Sequence, residues 1–500
     1  MGSSTSRAIR RRRPATRTGW RPRCAFQTLD SLPLRSTEDQ YFSLRGGAER
    51  QGHESELDEL TAVGAASDPT KEGRAGSPPA LRRVITLRHA VAIYVSSLLG
   101  SGIFVVPGLA ARIAGPASIV SWVLLSLASY PFAYTFAKLS ARRPESGGIY
   151  AFARDGIGLR AGAATAWLFL AWAVLGAPAA TVAAASYLVF VFPLTRFDIF
   201  LVAAGILIAA FAVNYIGIRF TGRVQVATVA AILVALAIAV VASAPRIAPA
   251  NYAPFLPNGV TSIGTAAALI VWSYLGYENT SNVAEEFRDP ERDFHRSVVI
   301  SVILISGLYL AVAFVTVGTG AYLIGGGVTP FAAMMSDAFG TYGGAIVALL
   351  AVFVTFGTVN AYVAGMARVY YAAARDGVFP KMLAAVDRRT GVPHHSLVFL
   401  IVLVLLSLFV FYILAVDFVT AFLMASGAAI LTYVIGSIAG IRLLKERGMR
   451  RALPWISLAV SVGLLPFIGG LLAASVAIAG VGLLISWALS RRRVGQKRRT

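Results

Sequence analysis

Six stretches of this chain, residues 113–137, 161–195, 247–277, 297–336, 338–367 and 452–490, contain no charged side chain. About 20 apolar residues in a helix, at 1.5 Å rise each, cross the hydrocarbon core of a bilayer. Each stretch is therefore long enough for one membrane helix, and the last for two. Charged residues are 14% of the 500 and apolar residues 57%, whereas a soluble chain carries about 25% charge. The reading is an all-α polytopic membrane protein. Dividing the apolar runs at Gly, Pro and charged turns predicts about twelve spans: 84–113, 116–139, 162–193, 199–218, 224–244, 262–286, 297–323, 343–374, 395–415, 417–441, 452–468 and 470–490.

A net charge of +21 invites nucleic acid as a partner, so its placement matters. With the N-terminus inside, the inner loops carry 19 Lys and Arg residues and the outer loops only Arg112, Arg196 and Arg246. That asymmetry is the positive-inside pattern. The basicity records topology and gives no support to nucleic-acid binding. An even number of spans places both termini in the cytoplasm, and the protein is expected in the cell membrane, with the lipid bilayer as its surroundings.

Residues 1–83 are rich in Arg, Ser, Gly and Pro without apolar periodicity, which predicts a disordered basic N-terminal tail. Its first 29 residues lack any acid, as in a transit peptide; a floppy cytoplasmic tail or an overlong start are the plainer readings. No short apolar segment of a cleavable signal precedes the first span. Residues 491–500 form a second basic cytoplasmic tail. Cys24 is the single cysteine, so neither a disulfide nor a cysteine-based metal site is expected.

The first span contains "SSLLGSGIFVVPGLAA" at residues 96–111, with Gly100, Ser101 and Gly102 together at its centre. In hydrocarbon each unpaired backbone group costs several kcal/mol, so irregular backbone survives only against protein or a wet cavity. The glycines therefore mark either a break lining a cavity or a close helix contact. The sixth span tips this toward the break. In "LIVWSYLGYENTSNVAEEF", residues 269–287, Gly276 lies near the middle between aromatics, followed by Glu278. Interrupted helices at matching positions in two halves point to a transporter site between inverted repeats. Five spans per repeat give 84–244 and 262–441, with 452–490 as two further helices.

The chemistry follows from helix ends. Free N–H groups opening the second half of span one, around Ser101, Gly102 and Ile103, suit a carboxylate. Freed carbonyls around Leu98, Leu99, Trp272, Ser273 and Leu275 suit an ammonium. An α-amino acid carries both charges one carbon apart.

These residues, with others, resemble the amino acid–polyamine–organocation (APC) permease superfamily. "GSGIFVVPG" at 100–108, "RRPESGGIYAFARDGIG" at 142–158, "NYIGIRFTGRVQ" at 214–225, "VWSYLGYEN" and "AEEFRDPERDF" within 271–294, and "ARVYYAAARDGVFP" at 367–380 occur in the family's order. The resemblance spans residues 84 to 490. It implies the LeuT-type 5+5 inverted-repeat fold, with helices 1 and 6 discontinuous. It implies that the Ser101 and Gly102 amides bind the substrate carboxylate and the Leu98, Trp272 and Leu275 carbonyls its amine, with Gly100 and Gly276 giving the backbone its freedom. Trp272 would be an aromatic lid, as in the arginine/agmatine exchangers, and Tyr362 a second gating aromatic.

The departures from that pattern narrow the substrate. Ala177 and Ala180 stand where the arginine exchangers have a polar and a bulky pocket residue, so a neutral or apolar amino acid is expected. Span five, "VQVATVAAILVALAIAVVA", lacks the lysine that proton-coupled relatives place there, and His295 replaces a common proline. The wording most resembles the branch of neutral amino-acid exporters. The expected activity is secondary active transport by alternating access, as efflux or exchange. Proton-coupled uptake of an amino acid or amine, and a non-transporting amino-acid sensor, are the alternatives.

Glu278 lies about 12 Å above the inner end of its span, where carrying charge costs roughly 3 kcal/mol. A coupling role, protonation or switching, and a neutral or paired structural role are equally compatible with that depth. Glu285 and Glu286, beside Arg288 and Arg292, read as a cytoplasmic latch. Asn360, with Thr355 and Thr358 nearby, reads as packing hydrogen bonds ahead of the alternative of ion binding. The five histidines lie in the tail or at span ends, and no Ser/His/Asp or metal-ligand spacing occurs. Neither an enzyme, a metal site nor a cofactor is expected, and no filter-like repeat suggests a channel.

Overall fold

The computed structural model describes residues 86–142, 147–217, 222–278, 290–387 and 390–497. These lie in one unit, Pro78–Thr500. The basic tail expected over residues 1–83 lies outside the described residues, as does the region of Glu285, Glu286 and Arg288; nothing is described of the side chain of Arg292.

The described residues form fourteen α-helices joined by short 3-10 turns, with no strand among them. In order they are α1 (Leu87–Leu98), α2 (Gly102–Ala114), α3 (Ser118–Arg142), α4 (Ile149–Gly156), α5 (Leu159–Ser186), α6 (Arg196–Ile216) and α7 (Gly222–Ser243). There follow α8 (Thr261–Ile270), α9 (Pro290–Gly318), α10 (Pro330–Arg375), α11 (His394–Ile413), α12 (Phe418–Leu443), α13 (Ala452–Leu464) and α14 (Leu472–Lys497).

Helix ends follow local chemistry. Thr195 caps α6 reciprocally with Asp198, and Asp417 accepts a hydrogen bond from the Thr420 amide at the start of α12, each satisfying amides that the helix itself leaves free. Gly217 ends α6 with φ of 80°, a conformation glycine adopts without strain.

Nine stretches among the described residues are long and apolar enough to cross a membrane, against about twelve spans expected. Two of the nine, Gly102–Arg142 and Gly448–Arg491, are 41 and 44 residues long and hold α2 with α3 and α13 with α14. The expected sixth span is represented by the shorter Thr261–Tyr274, because its continuation falls in residues 279–289, outside the description. Two boundaries move. Helix α10 begins at Pro330 and turns at Gly340, whose φ is 68°, rather than starting at 343. Helix α14 continues to Lys497, past residue 490 where the tail was expected to begin.

Burial sorts the helices into an inner and an outer set. The apolar window of Leu159–Phe190 is 89% buried, while that of Gly448–Arg491 is 22% buried. Helix α5 packs against α4, α6, α10, α11, α12 and α14. The outer helices expose large apolar side chains, such as Leu201 and Ile208 of α6 and Leu484 of α14. Apolar residues on both the inner and outer faces suit a protein dissolved in lipid, so the fold is that of a polytopic helical membrane protein.

Candidate functional site

The first apolar crossing stops in its middle. Helix α1 ends at Leu98, Leu99 leaves the helical region with ψ of 64°, and α2 starts afresh at Gly102. The first N–H groups of α2 have no acceptor within their own helix. Pro107 does not end α2, which runs through it to Ala114.

Packing explains both glycines of the break. A Cβ on Gly100 would lie 2.8 Å from Cγ2 of Thr358 on α10. One on Gly102 would lie 2.8 Å from the Ser273 hydroxyl and 3.1 Å from Cδ1 of Trp272. Break and close contact, the two readings of the glycine cluster, are both present.

The sixth crossing also loses its regular winding. Helix α8 ends at Ile270, a single 3-10 turn covers Val271–Tyr274, and Leu275 is extended at φ −77°, ψ 142°. Gly276 follows with φ of 138°. Because residues 279–289 are not described, the expected second half of this helix is not part of the picture. The two interruptions touch one another, as the contacts of Gly102 with Trp272 and Ser273 require.

One hydroxyl joins them. Tyr309 of α9, fully buried, lies 2.7 Å from the Leu98 carbonyl and 2.9 Å from the Ser273 carbonyl. A phenol has one proton, so it donates to one of these oxygens at a time. Trp122 and Tyr274 pack edge-on or tilted against this cluster, with centroids 5.3 and 5.2 Å from the Tyr309 ring.

A cavity of about 60 Å³ opens beside the breaks. At roughly 10–15 Å³ per water in this measure, it has room for a few waters or a compact solute. Leu98, Gly100, Ser101, Gly102, Trp272, Leu275 and Tyr362 line it, as do Ala173, Ala177 and Ala180 on α5. Ile103, Ser273 and Gly276 are in the breaks but do not line the cavity. Apart from Thr358, its remaining wall is apolar, including Phe211, Val363, Met366 and Val404.

Aromatic rings close one side. Trp272, half-buried, stands edge-on to Trp172 at 6.4 Å and to Phe422 at 5.3 Å, and Trp172 meets Tyr362 at 5.4 Å. Trp272 and Tyr362 were legible as candidates; Trp172, Phe422 and Tyr309 were not singled out. A tyrosine inside the charge-free run 297–336 was the one available hint of Tyr309.

Glu278 is 2% exposed. Its carboxylate accepts from the Gly276 amide at 3.1 Å, from Tyr433 of α12 at 2.5 Å and, at a long 3.5 Å, from Tyr362. These three partners are neutral donors, and they tie the sixth crossing to α10 and α12. Asn360 accepts from the Asn214 side chain at 2.8 Å, joining α10 to α6, which is the packing role expected of it. His295 packs edge-on against Tyr134.

Beyond the spans, Arg154 of α4 pairs with Asp376 at 2.8 Å, and Tyr150 donates to the same oxygen at 2.7 Å. Burial pulls the Asp376 carboxyl up, but these hydrogen bonds outweigh it and hold it below the ordinary carboxylate range. Burial and the neighbouring Asp376 push the Tyr150 phenol up. This cluster pins the α4 segment to the end of α10.

A family model described as amino acid permease matches residues 85–489. The uncharacterized amino acid permease YecA of Bacillus subtilis is 30% identical over 369 residues, covering 74% of this chain and 87% of its own length. The L-methionine/branched-chain amino acid exporter YjeH of Escherichia coli is 29% identical over 411 residues, 81% of this chain and 96% of its own. The branched-chain amino acid permease BcaP of Bacillus subtilis is 26% identical over 63% of this chain and 72% of its own.

Proposed function

The chain belongs to the amino acid permease family, whose members are transporters and not enzymes, and on that footing we propose that it moves neutral, apolar amino acids across the cytoplasmic membrane by alternating access. The observation that carries this reading is the meeting of the broken first crossing with the unwound end of α8 beside a mostly apolar cavity. The amides of Ser101 and Gly102 hold the substrate carboxylate, with the Ile103 amide next behind them in the first turn of α2. The carbonyls of Leu98, Trp272 and Leu275 take its ammonium. Trp272 forms the lid and Tyr362 a second gate.

Within this reading, residues 84–244 and 262–441 are the two halves of a 5+5 inverted repeat, and both termini face the cytoplasm. The touching breaks support that arrangement, since inversion brings the first and sixth crossings together.

The side-chain class follows from the walls. Ala173, Ala177, Ala180, Val363 and Met366 offer no acid to a guanidinium or a second ammonium, and burying an unpaired charge there is costly. Methionine, leucine, isoleucine and valine fit such a wall. The names of YjeH and BcaP favour the same class. Export is the direction we favour, on the resemblance to the exporters.

A second reading rests on Glu278, a buried carboxyl with neutral partners. It makes the protein proton-coupled, with protonation of Glu278 releasing its ties to Tyr433 and Tyr362. The test is flux of labelled amino acids in proteoliposomes, with and without a proton gradient. Methionine and the branched-chain amino acids should move and arginine should not. Binding without net movement would make the protein a sensor; arginine as the preferred substrate would overturn the side-chain assignment. A gradient-independent rate would remove the proton.

A further inference from the structure

Helix α5 carries a glycine whose backbone does not require one. Gly176 is buried in the middle of Leu159–Ser186 and is absent from the positive-φ residues. It stands among alanines, and Ala in its place favours the helix by about 0.5–1 kcal/mol. What excludes a side chain is the ring that lies on it. A Cβ at 176 would come within 2.6 Å of Cζ3 of Trp272 and nearer still to its Cη2, and 3.3 Å from Cδ1 of Trp172. The indole of Trp272 thus rests its far edge on bare α5 backbone, with Trp172 and Phe422 edge-on at its sides.

This seat adjoins the cavity. Ala173 and Ala177 line it on either side of Gly176 along α5, and so does Trp272. The missing Cβ lets the indole lie flush with the cavity wall. An added methyl has nowhere to go without lifting the ring, because α5 is held by helices on every side.

We propose that Gly176 is the seat of the Trp272 lid, a positioning residue whose lack of a side chain lets the substrate site close. The inference rests on the reading of Trp272 as a lid, and extends it to the surface on which the lid docks. Closure is then the docking of one indole against α5, and its depth is set by the size of residue 176.

The test is Gly176→Ala, reconstituted beside the wild type, Trp272→Phe and the double variant. The helix preference of alanine offsets only part of the cost of lifting the ring, so thermal stability should fall modestly while membrane insertion persists. The KM for the transported amino acid should climb about tenfold or more, as overpacking costs of 1–3 kcal/mol imply. The tryptophan emission of the ligand-free protein, with Trp272 assigned by difference from Trp272→Phe, should move to the red as the ring leaves its seat. The double variant should be no worse than Trp272→Phe alone, because the smaller ring no longer reaches the added methyl. An unchanged KM and emission would overturn the seat, as would additive effects in the double variant. If the wild type moves no amino acid, the proposed function fails, and the ligand-free emission still decides whether Gly176 seats the ring.

Discussion

The two interrupted crossings achieve similar ends by different means. The first breaks cleanly: helix, Leu99 to Ser101, helix, with the fresh N-terminus of α2 beside the cavity. The sixth tightens into a 3-10 turn, then extends through Leu275 and Gly276 toward Glu278. The first break has the free amides of α2 and the Leu98 carbonyl; the sixth has carbonyls, with the Glu278 carboxyl behind them. The difference teaches that a membrane chain can loosen its backbone in two ways within its interior, provided each loosened segment is covered by packing. At the first break the cover is Thr358 and Ser273; at the sixth it is Gly102 and the Tyr309 hydroxyl.

Gly102→Leu is the most severe way to break this symmetry. Its side chain would strike both Trp272 and Ser273, so binding should be lost while membrane insertion persists; retained transport would refute the amide site. Trp272→Ala removes the ring that walls the cavity from the sixth crossing. Its apparent dissociation constant should rise at least tenfold, about 1.4 kcal/mol or more, with topology unchanged, and an unaltered constant would remove the lid.

Tyr309→Phe deletes the one proton shared between the Leu98 and Ser273 carbonyls. An unpaired buried acceptor costs about 1–3 kcal/mol, so KM should rise roughly fivefold to a hundredfold. A fall in the amount of folded protein at constant KM would reduce Tyr309 to a packing residue.

Glu278→Gln tests whether the sixth break differs from the first in carrying a proton. The pH profile of flux should flatten, and identical profiles would leave Glu278 structural. The smallest effect belongs outside the membrane. Asp376→Asn should cost at most about 1 kcal/mol, in keeping with a partly exposed pair. Because the folded carboxyl is held low, its contribution is present above the ordinary Asp value of about 3.9 and is lost as pH falls through the lowered one. Thermal melts of wild type and variant should therefore converge in acid.

How much of this was legible follows from what each feature obeys. The membrane class and the break of the first crossing were readable, because apolar length and clustered glycines are local signals; in the sixth, the lone Gly276 marked where regular winding is lost. Leu98, Gly100, Ser101, Gly102, Trp272, Leu275 and Tyr362 do meet at one cavity. Gly176, Trp172, Tyr309 and Tyr433 were not readable as site residues, since each matters through a partner on a distant helix. In a span where nearly every residue is apolar, no periodicity separates the face toward the cavity from the face toward lipid. Gly176 resembles any small residue of "LFLAWAVLGAPAATVAAASYL" until Trp272 is seen lying on it.

The most direct measurement is the structure of the protein with methionine or leucine bound. The substrate carboxylate should lie about 3 Å from the amide nitrogens at Ser101 and Gly102. Its ammonium should lie at similar distance from the carbonyls of Leu98 and of Trp272 or Leu275. An amino acid held elsewhere, or with its two charged groups reversed between the breaks, would contradict the account.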